Sequence, residues 1–159
     1  MIRLGPLPRA RVSEVAHLEL PAAQEPFVGT IAEMTAEADR LQDFHLARAG
    51  DDAVGFFKID RDFARRDPRL PQRALGMRGL LIGGQYQGRG YGTALLAALP
   101  GYLRRQYPMA DAVWLTVDAG NEAALRAYCR AGWEVSDLAP FPGRWGPEPV
   151  LRLPLDPSP

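Results

Sequence analysis

The chain has 159 residues, of which 47% are hydrophobic and 24% charged, and its formal net charge is zero. This length and composition are typical of one globular domain, and the balanced charge argues against nucleic-acid binding through general basicity. The single cysteine, Cys129, excludes an internal disulfide, and no apolar run reaches the ~20 residues that a membrane helix needs. Residues 1–6 lack the apolar segment of a signal peptide. We therefore expect one cytoplasmic domain over residues 1–159, with no membrane or nucleic-acid partner.

Hydrophobic periodicity divides the chain into short strands and helices. The order of these elements predicts a mixed α/β sandwich around one sheet. Pro100 stands inside a helical pattern, where proline costs on the order of 3 kcal/mol, so we expect a kink or an end near Leu99. The predicted elements are, in chain order, a strand at 2–6, helices at 9–20 and 30–41, strands at 44–48, 53–59 and 74–82, a helix from 91, a strand at 112–117, a helix at 121–131, and strands at 133–138 and 150–155.

A glycine-rich loop is the most informative stretch of the sequence. It follows an apolar strand that ends at Ile82, contains Gly88, Gly90 and Gly92, and opens a helix. Glycine permits close approach of the backbone to a ligand, and unpaired amides at a helix N-terminus favour an anion. The loop therefore predicts a phosphate-binding site, although a tight turn without a ligand is the plainer alternative.

The spelling of this loop excludes two common phosphate-binding motifs. The Walker loop requires a lysine that is absent here, and the dinucleotide pattern Gly-x-Gly-x-x-Gly/Ala fails at Thr93 and at Leu95. The loop must therefore hold its anion in another way.

Two motifs are similar to those of a known enzyme family. Gln87-x-x-Gly90-x-Gly92 resembles the Gln/Arg-x-x-Gly-x-Gly/Ala signature of the GNAT acetyltransferase superfamily. The downstream block that begins at Asn121 and runs through Tyr128 to Gly132-Trp133 resembles the second motif, with tryptophan where phenylalanine is usual. The resemblance implies a single N-acetyltransferase domain with a mixed, mainly antiparallel sheet that is flanked by helices and splayed between its fourth and fifth strands.

The resemblance also implies acetyl-coenzyme A as the co-substrate and an amine that attacks its thioester directly. We expect Tyr128 to donate a proton to the departing thiolate, since a phenol is neutral at pH 7. The alternative for Tyr128 is a core tyrosine packed one helical turn from Ala124. The two histidines, His17 and His45, lack metal-ligand spacing, so no metal is expected. The residues implied to bind the co-substrate are Leu80, Leu81, Ile82, Gln87, Gly88, Arg89, Gly90, Tyr91, Gly92, Thr93 and Asn121.

The group that removes the proton from the acceptor amine is not evident in the sequence. An alkyl ammonium has a pKa near 10.4, so a base is needed at pH 7. Many family members carry a carboxylate on the strand before the glycine loop, where this chain has Arg78. Glu33, Asp60 and Asp62 are the remaining candidates, although each is expected to be a solvated surface charge and a water chain is an equal alternative.

The acceptor is expected to be a small primary amine, and a homodimer is possible from the resemblance. Phe27, Glu33, Asp60 and Asp62 lie where the family builds its acceptor pocket, and aromatic rings with carboxylates suit a cation. The segment around Gln24 to Val28 loosely resembles the diamine and polyamine acetyltransferase branch. The alternatives are a protein N-terminus, an antibiotic amine, or a non-catalytic module that binds coenzyme A.

Overall fold

The computed structural model describes residues 1–21, 30–36 and 40–155, and they form a mixed α/β fold. Seven strands form one sheet in the order β1-β2-β3-β4-β5-β9-β6, and β7 and β8 form a separate hairpin. The pairing is mainly antiparallel, with a parallel pair between β4 and β5. The strands are β1 Ile2–Pro6, β2 Gln42–Ala49, β3 Asp52–Asp60, β4 Leu75–Ile82, β5 Ala112–Thr116, β6 Glu134–Val135, β7 Phe141–Gly143, β8 Gly146–Glu148 and β9 Val150–Pro154.

In the described part of the chain, three α-helices and three short 3-10 helices accompany these strands. The helices are α1 Ile31–Thr35, α2 Tyr91–Gln106 and α3 Glu122–Arg130, and the 3-10 helices are Arg9–Val15, Phe63–Arg65 and Gly84–Tyr86. The chain divides into two compact units. The first unit comprises residues 1–60 and 77–99, and the second comprises residues 61–76 and 100–159.

The first unit is built on the antiparallel strands β1, β2 and β3. The turn between β2 and β3 contains Gly50 with φ +60°, a left-handed conformation that glycine adopts without a Cβ penalty. One face of β2 and β3 carries Phe44, Leu46 and Phe56, which pack with Met34 of α1 in a buried core. The alternation of side chains along a strand places every second residue on this face.

Two helices predicted near the N-terminus are shorter than the sequence indicates. Residues 9–20 form only the 3-10 helix Arg9–Val15, whose N-cap is Pro8 without a side-chain cap and whose regular geometry breaks at Arg11. The second helix, predicted over residues 30–41, is the five-residue α1 with Thr30 as its N-cap. Helices this short have little intrinsic stability, so burial of a few apolar side chains decides their length.

The sequence predicted a kink or an end near Leu99, and the helix does not end there. α2 runs without a break from Tyr91 to Gln106 and includes Pro100. Leu99 and Leu103, on either side of the proline, are fully buried. The burial of such side chains, at roughly 1.5–3 kcal/mol each, offsets the hydrogen bond that proline cannot donate.

The second unit contains the parallel ladder and the C-terminal strands. In the described structure, the parallel ladder between β4 and β5 consists of two residue pairs, Leu75 with Val113 and Gly76 with Trp114. β5 and β6 both pair antiparallel with β9. Part of the segment predicted as a loop forms the β7–β8 hairpin, and the strand predicted over residues 133–138 is limited to β6. α3 begins after its N-cap Asn121, as predicted, and Gly132 with φ +99° follows its C-terminus.

Candidate active site

Two hydrogen bonds hold the start of the glycine loop against strands β3 and β4. The Gly83 amide donates to the Val54 carbonyl at 2.9 Å, so the chain leaves β4 in a fixed direction. The Gln87 side chain then turns back, and its Nε2 donates to the Ile82 carbonyl at 2.9 Å. Gln87, the first residue of the signature, thus holds the two ends of the 3-10 helix Gly84–Tyr86 together.

The next six residues form a stretch of exposed backbone at the N-terminus of α2. Gly88 and Gly90 have φ angles of +79° and +81°, and a Cβ at either position would meet no atom within 4 Å. Among the described residues, no main-chain carbonyl accepts from the amides of residues 88–93, and the helical ladder begins with the Ala94 amide bonding to the Gly90 carbonyl at 3.0 Å. α2 has 16 residues, so its dipole adds positive potential at this end. This arrangement favours an anion.

The strand that leads to the loop is only partly covered. Leu81 belongs to the buried core of the first unit, whereas Leu80 and Ile82 are half-buried although β4 is the fourth of seven strands in the sheet. Strands with a parallel partner, as β4 has in β5, are normally covered on both faces. The last residues of β4 therefore present apolar side chains and backbone that another molecule can cover.

The candidate acceptor residues have different environments. Phe27 lies outside the described residues. Glu33 is exposed in the first turn of α1, where its amide donates to Thr30 Oγ1 at 3.1 Å. Asp62 belongs to the second unit and is half-buried, with Oδ2 at 3.5 Å from Arg65 Nε.

Asp60 is the exception, because it is buried rather than solvated as the sequence analysis expected. Only 2% of the residue is exposed. Its Oδ2 lies 3.7 Å from Nη1 of Arg78. Arg78 occupies the position on β4 where an acid was sought, and Asp60 lies on the neighbouring strand β3. The sequence carried no signal for this cross-strand pair.

Tyr128 lies in the second unit, on α3. Its ring makes an edge contact with the ring of Trp133, with centroids 5.5 Å apart. Tyr128 is not fully buried, and desolvation raises the pKa of its phenol well above the ordinary value. The phenol therefore remains protonated across the neutral range, where its O–H can donate a hydrogen bond. Trp133 is 3% exposed, and its Nε1 has no partner in the part of the chain that the structure describes.

Asn121 uses its side chain to begin α3. Its Oδ1 accepts from the Ala124 amide at 3.4 Å, the geometry of an N-cap. The side chain of Asn121 thus has a structural task in this structure.

The model of the acetyltransferase (GNAT) family matches residues 13–133, and the chain belongs to this family. The fold class and the enzyme class predicted from the sequence are thereby confirmed.

Solved structures of three acetyltransferases have a similar fold. An aminoglycoside acetyltransferase in complex with coenzyme A has a TM-score of 0.76 at 17% identity, with 97% of this chain and 95% of that chain covered. The ribosomal-protein-S18-alanine N-acetyltransferase from Escherichia coli has a TM-score of 0.67 at 17% identity, covering 100% and 97%. The spermidine N-acetyltransferase from Vibrio cholerae, in complex with coenzyme A and spermine, has a TM-score of 0.68 at 14% identity, covering 97% and 95%.

No curated protein matches the sequence. Within residues 1–21, 30–36 and 40–155, no helix is long and apolar enough to cross a membrane.

Proposed function

We propose that this protein is a cytoplasmic acetyl-coenzyme A-dependent N-acetyltransferase that acetylates a small primary amine by direct attack. The observation that carries the proposal is the run of amides from Gly88 to Thr93, which lack main-chain acceptors in the described structure and lie at the N-terminus of a long helix. A diphosphate is the anion that such a run suits. The coenzyme A bound in structures of similar fold supports this choice of ligand.

The co-substrate supplies a thioester, and the residues of this chain bind and orient it. The amides of Gly88, Arg89, Gly90, Tyr91, Gly92 and Thr93 hold the diphosphate, with the exposed guanidinium of Arg89 beside them. The backbone of Leu80, Leu81 and Ile82 pairs with the amides of the pantetheine arm. Gln87 acts indirectly, because its bond to the Ile82 carbonyl maintains the shape of the loop. The Asn121 side chain caps α3, so its contribution is to hold that helix start in place.

Tyr128 is proposed as the proton donor to the departing sulfur. Its raised pKa keeps the proton on the phenol until negative charge develops nearby. As negative charge develops on the sulfur, the phenol O–H donates a hydrogen bond to it, which stabilises the departing thiolate and gives the proton its path to sulfur. The contact with Trp133 restricts the orientation of the ring.

The acceptor is proposed as a small primary amine, and a polyamine remains one candidate because the Gln24 to Val28 segment suggested it. Among the described residues, the buried carboxylate of Asp60 faces the guanidinium of Arg78. Polyamine, peptide N-terminus and aminoglycoside are therefore included in the acceptor panel as competing outcomes, since enzymes acting on these classes share the fold.

The proposal is tested by calorimetry with coenzyme A and by thiol-release kinetics with acetyl-coenzyme A and the amine panel. We expect Tyr128→Phe to lower kcat by about 10²-fold, the lower range for general acid catalysis, with an unchanged dissociation constant for coenzyme A. Tyr107→Phe removes the hydroxyl of another half-buried tyrosine and serves as the matched control. Binding without turnover of any amine would identify a non-catalytic module, and no binding would refute the proposal entirely.

A further inference from the structure

The helix-covered face of the first unit contains a cluster of four polar side chains, named here the polar cluster: Gln42, Lys58, Asp60 and Arg78. Gln42 and Asp60 are direct partners in the β2–β3 ladder, as are Phe44 and Lys58. Residues two apart share a face, so these side chains lie on the face that packs in the core with Met34 of α1. Gln42 is 5% exposed, and Lys58 and Asp60 are each 2% exposed.

Gln42 has a buried acceptor atom without a donor. Its Oε1 is buried and has no hydrogen-bond partner among the described residues. Its main-chain carbonyl, in contrast, accepts from Arg9 Nη2 at 2.7 Å. An unpaired buried oxygen lowers the stability of the fold, and such atoms in native proteins usually mark a bound water, an ion or a ligand. The partner that Gln42 Oε1 lacks is an N–H or O–H group.

The carboxylate next to Gln42 is held among cations. Arg78 Nη1 lies 3.7 Å from Asp60 Oδ2, an ion-pair distance that is too long for a direct hydrogen bond. Lys58 is two residues earlier on the same face and donates from Nζ to the Met34 carbonyl at 3.3 Å. Within the described ranges, the charged or titratable groups on the neighbouring elements are Arg9 on the 3-10 helix, Glu33 on α1, Asp43 and His45 on the opposite face of β2, and Arg78 on β4.

Gly79 gives this cluster its space. It has φ +66° in the middle of β4, which interrupts the regular alternation of the strand directly after Arg78. A Cβ at Gly79 would overlap Met34 Sδ and would lie 3.7 Å from Lys58 Cε. Because Gly79 has no Cβ, the side chains of Met34 and Lys58 can lie directly against the β4 backbone next to Arg78.

We propose that Asp60 is the proton acceptor for the amine substrate and that Gln42 Oε1 positions the group that delivers the proton. That group is either the substrate ammonium itself or one water molecule that relays its proton. Both are hydrogen-bond donors, and a carboxylate and an amide oxygen on adjacent strands offer acceptors only. The inference rests on the proposed acetyl transfer, and it assigns to β3 the role that the sequence sought on β4.

In the proposed acetyl transfer, the substrate nitrogen loses two protons and the sulfur gains one. The ammonium loses one proton to Asp60, and its nitrogen lone pair then forms a bond to the thioester carbonyl carbon. The carbon–sulfur bond breaks, its electron pair leaves on sulfur, and Tyr128 gives that sulfur a proton. The nitrogen loses its second proton to solvent, from which Tyr128 is reprotonated, and Asp60 releases the first proton after the product departs.

The test compares Asp60→Asn with Asp52→Asn, an exposed aspartate on the same strand. Wild-type turnover of a primary alkyl amine is measured first, and its absence would count against the proposed function rather than against Asp60 alone. We expect Asp60→Asn to lower kcat/KM by about 10²-fold at pH 7 while the dissociation constant for coenzyme A is unchanged. The deficit should shrink as the pH approaches the amine pKa near 10.4, because free amine needs no base. Asp52→Asn should match the wild type.

Gln42→Met separates this role from a structural one. Because Gln42 Oε1 has no partner in the described structure, its removal should leave the denaturation midpoint unchanged or raised, and yet activity should fall. A raised KM for the amine indicates direct contact with the ammonium, whereas a lowered kcat alone indicates the water relay. If Asp60→Asn retains wild-type kcat/KM at pH 7, or if Gln42→Met retains full activity, the inference is overturned. Gln42→Met tests the inference even if the Asp60→Asn protein fails to fold.

Discussion

The glycine loop can be tested by a single methyl group at Gly90. This residue has φ +81°, and a Cβ there would project into open space. Gly90→Ala therefore introduces no clash within the protein. The left-handed conformation costs an alanine about 1–2 kcal/mol, and the smaller entropy of the unfolded chain returns roughly 0.5–1 kcal/mol of this. We expect a net loss of about 1 kcal/mol in the free energy of unfolding.

The effect of Gly90→Ala on ligand binding should exceed its effect on stability. The new Cβ would enter the space beside the amides that hold the diphosphate, and the backbone would relax away from φ +81°. We expect coenzyme A to bind at least tenfold more weakly, which corresponds to about 1.4 kcal/mol. Isothermal titration calorimetry measures the affinity, and urea unfolding of the free protein measures the stability.

Two other glycines provide matched controls. Gly50 has φ +60° in the β2–β3 turn and is equally open, so Gly50→Ala should cause a similar loss of stability without a change in affinity. Gly92 lies inside α2, without a positive φ, and a Cβ there would have an ordinary contact at 3.8 Å. Gly92→Ala should stabilise the helix by about 0.5–1 kcal/mol and retain binding, because the signature accepts alanine here. Equal affinity of the Gly90→Ala and Gly50→Ala proteins would refute the reasoning.

Two further predictions concern stability. Burial lowers the pKa of His45 from 6.5 to about 4, so the unfolded chain takes up its proton first and stability is lost as the pH falls from about 6.5 to about 4. At about 1.4 kcal/mol per pKa unit, the loss in the free energy of unfolding is about 3 kcal/mol. Urea unfolding at several pH values should show that this free energy falls less steeply with pH in His45→Phe than in the wild type. Equal slopes for the two proteins would contradict the prediction. Gly79→Ala should lower the free energy of unfolding by about 1–3 kcal/mol, because its φ is +66° and a Cβ would overlap Met34 Sδ. Gly5→Ala, with open space and no positive φ, is the control and should unfold close to the wild-type midpoint.

Local patterns in the sequence predicted the elements that local interactions determine. The first strand has the bounds expected of it, Ile2–Pro6. Asn121 caps α3 because its side chain reaches an amide only three residues away. The glycine loop was predictable for the same reason, since its backbone conformation depends on glycines within a few positions. The family match then confirmed the class of enzyme that these motifs indicated.

Features that depend on distant residues were not predictable from the sequence. Asp60 was expected in solvent, as an isolated aspartate usually is. Its burial depends on Gln42 across one ladder and on Arg78 of the next strand, and neither is near it in sequence. The continuation of α2 through Pro100 likewise depends on the burial of leucines on both sides of it. Propensity alone would end this helix, and tertiary packing overrides it.

The position of Arg78 changes how an acid should be sought in this chain. An arginine on β4 argues against a base on that strand, and a non-catalytic module was one of the alternatives that the sequence left open. In the structure the arginine faces a carboxylate on β3, so β4 carries the positive charge and β3 the negative charge of one pair. Adjacent strands lie about 4.8 Å apart, and a long side chain spans that distance. An acid on β3 can therefore lie in the same region of the sheet as an acid on β4 would. Arg78 is then a partner of the proposed base, and its presence no longer favours loss of catalysis.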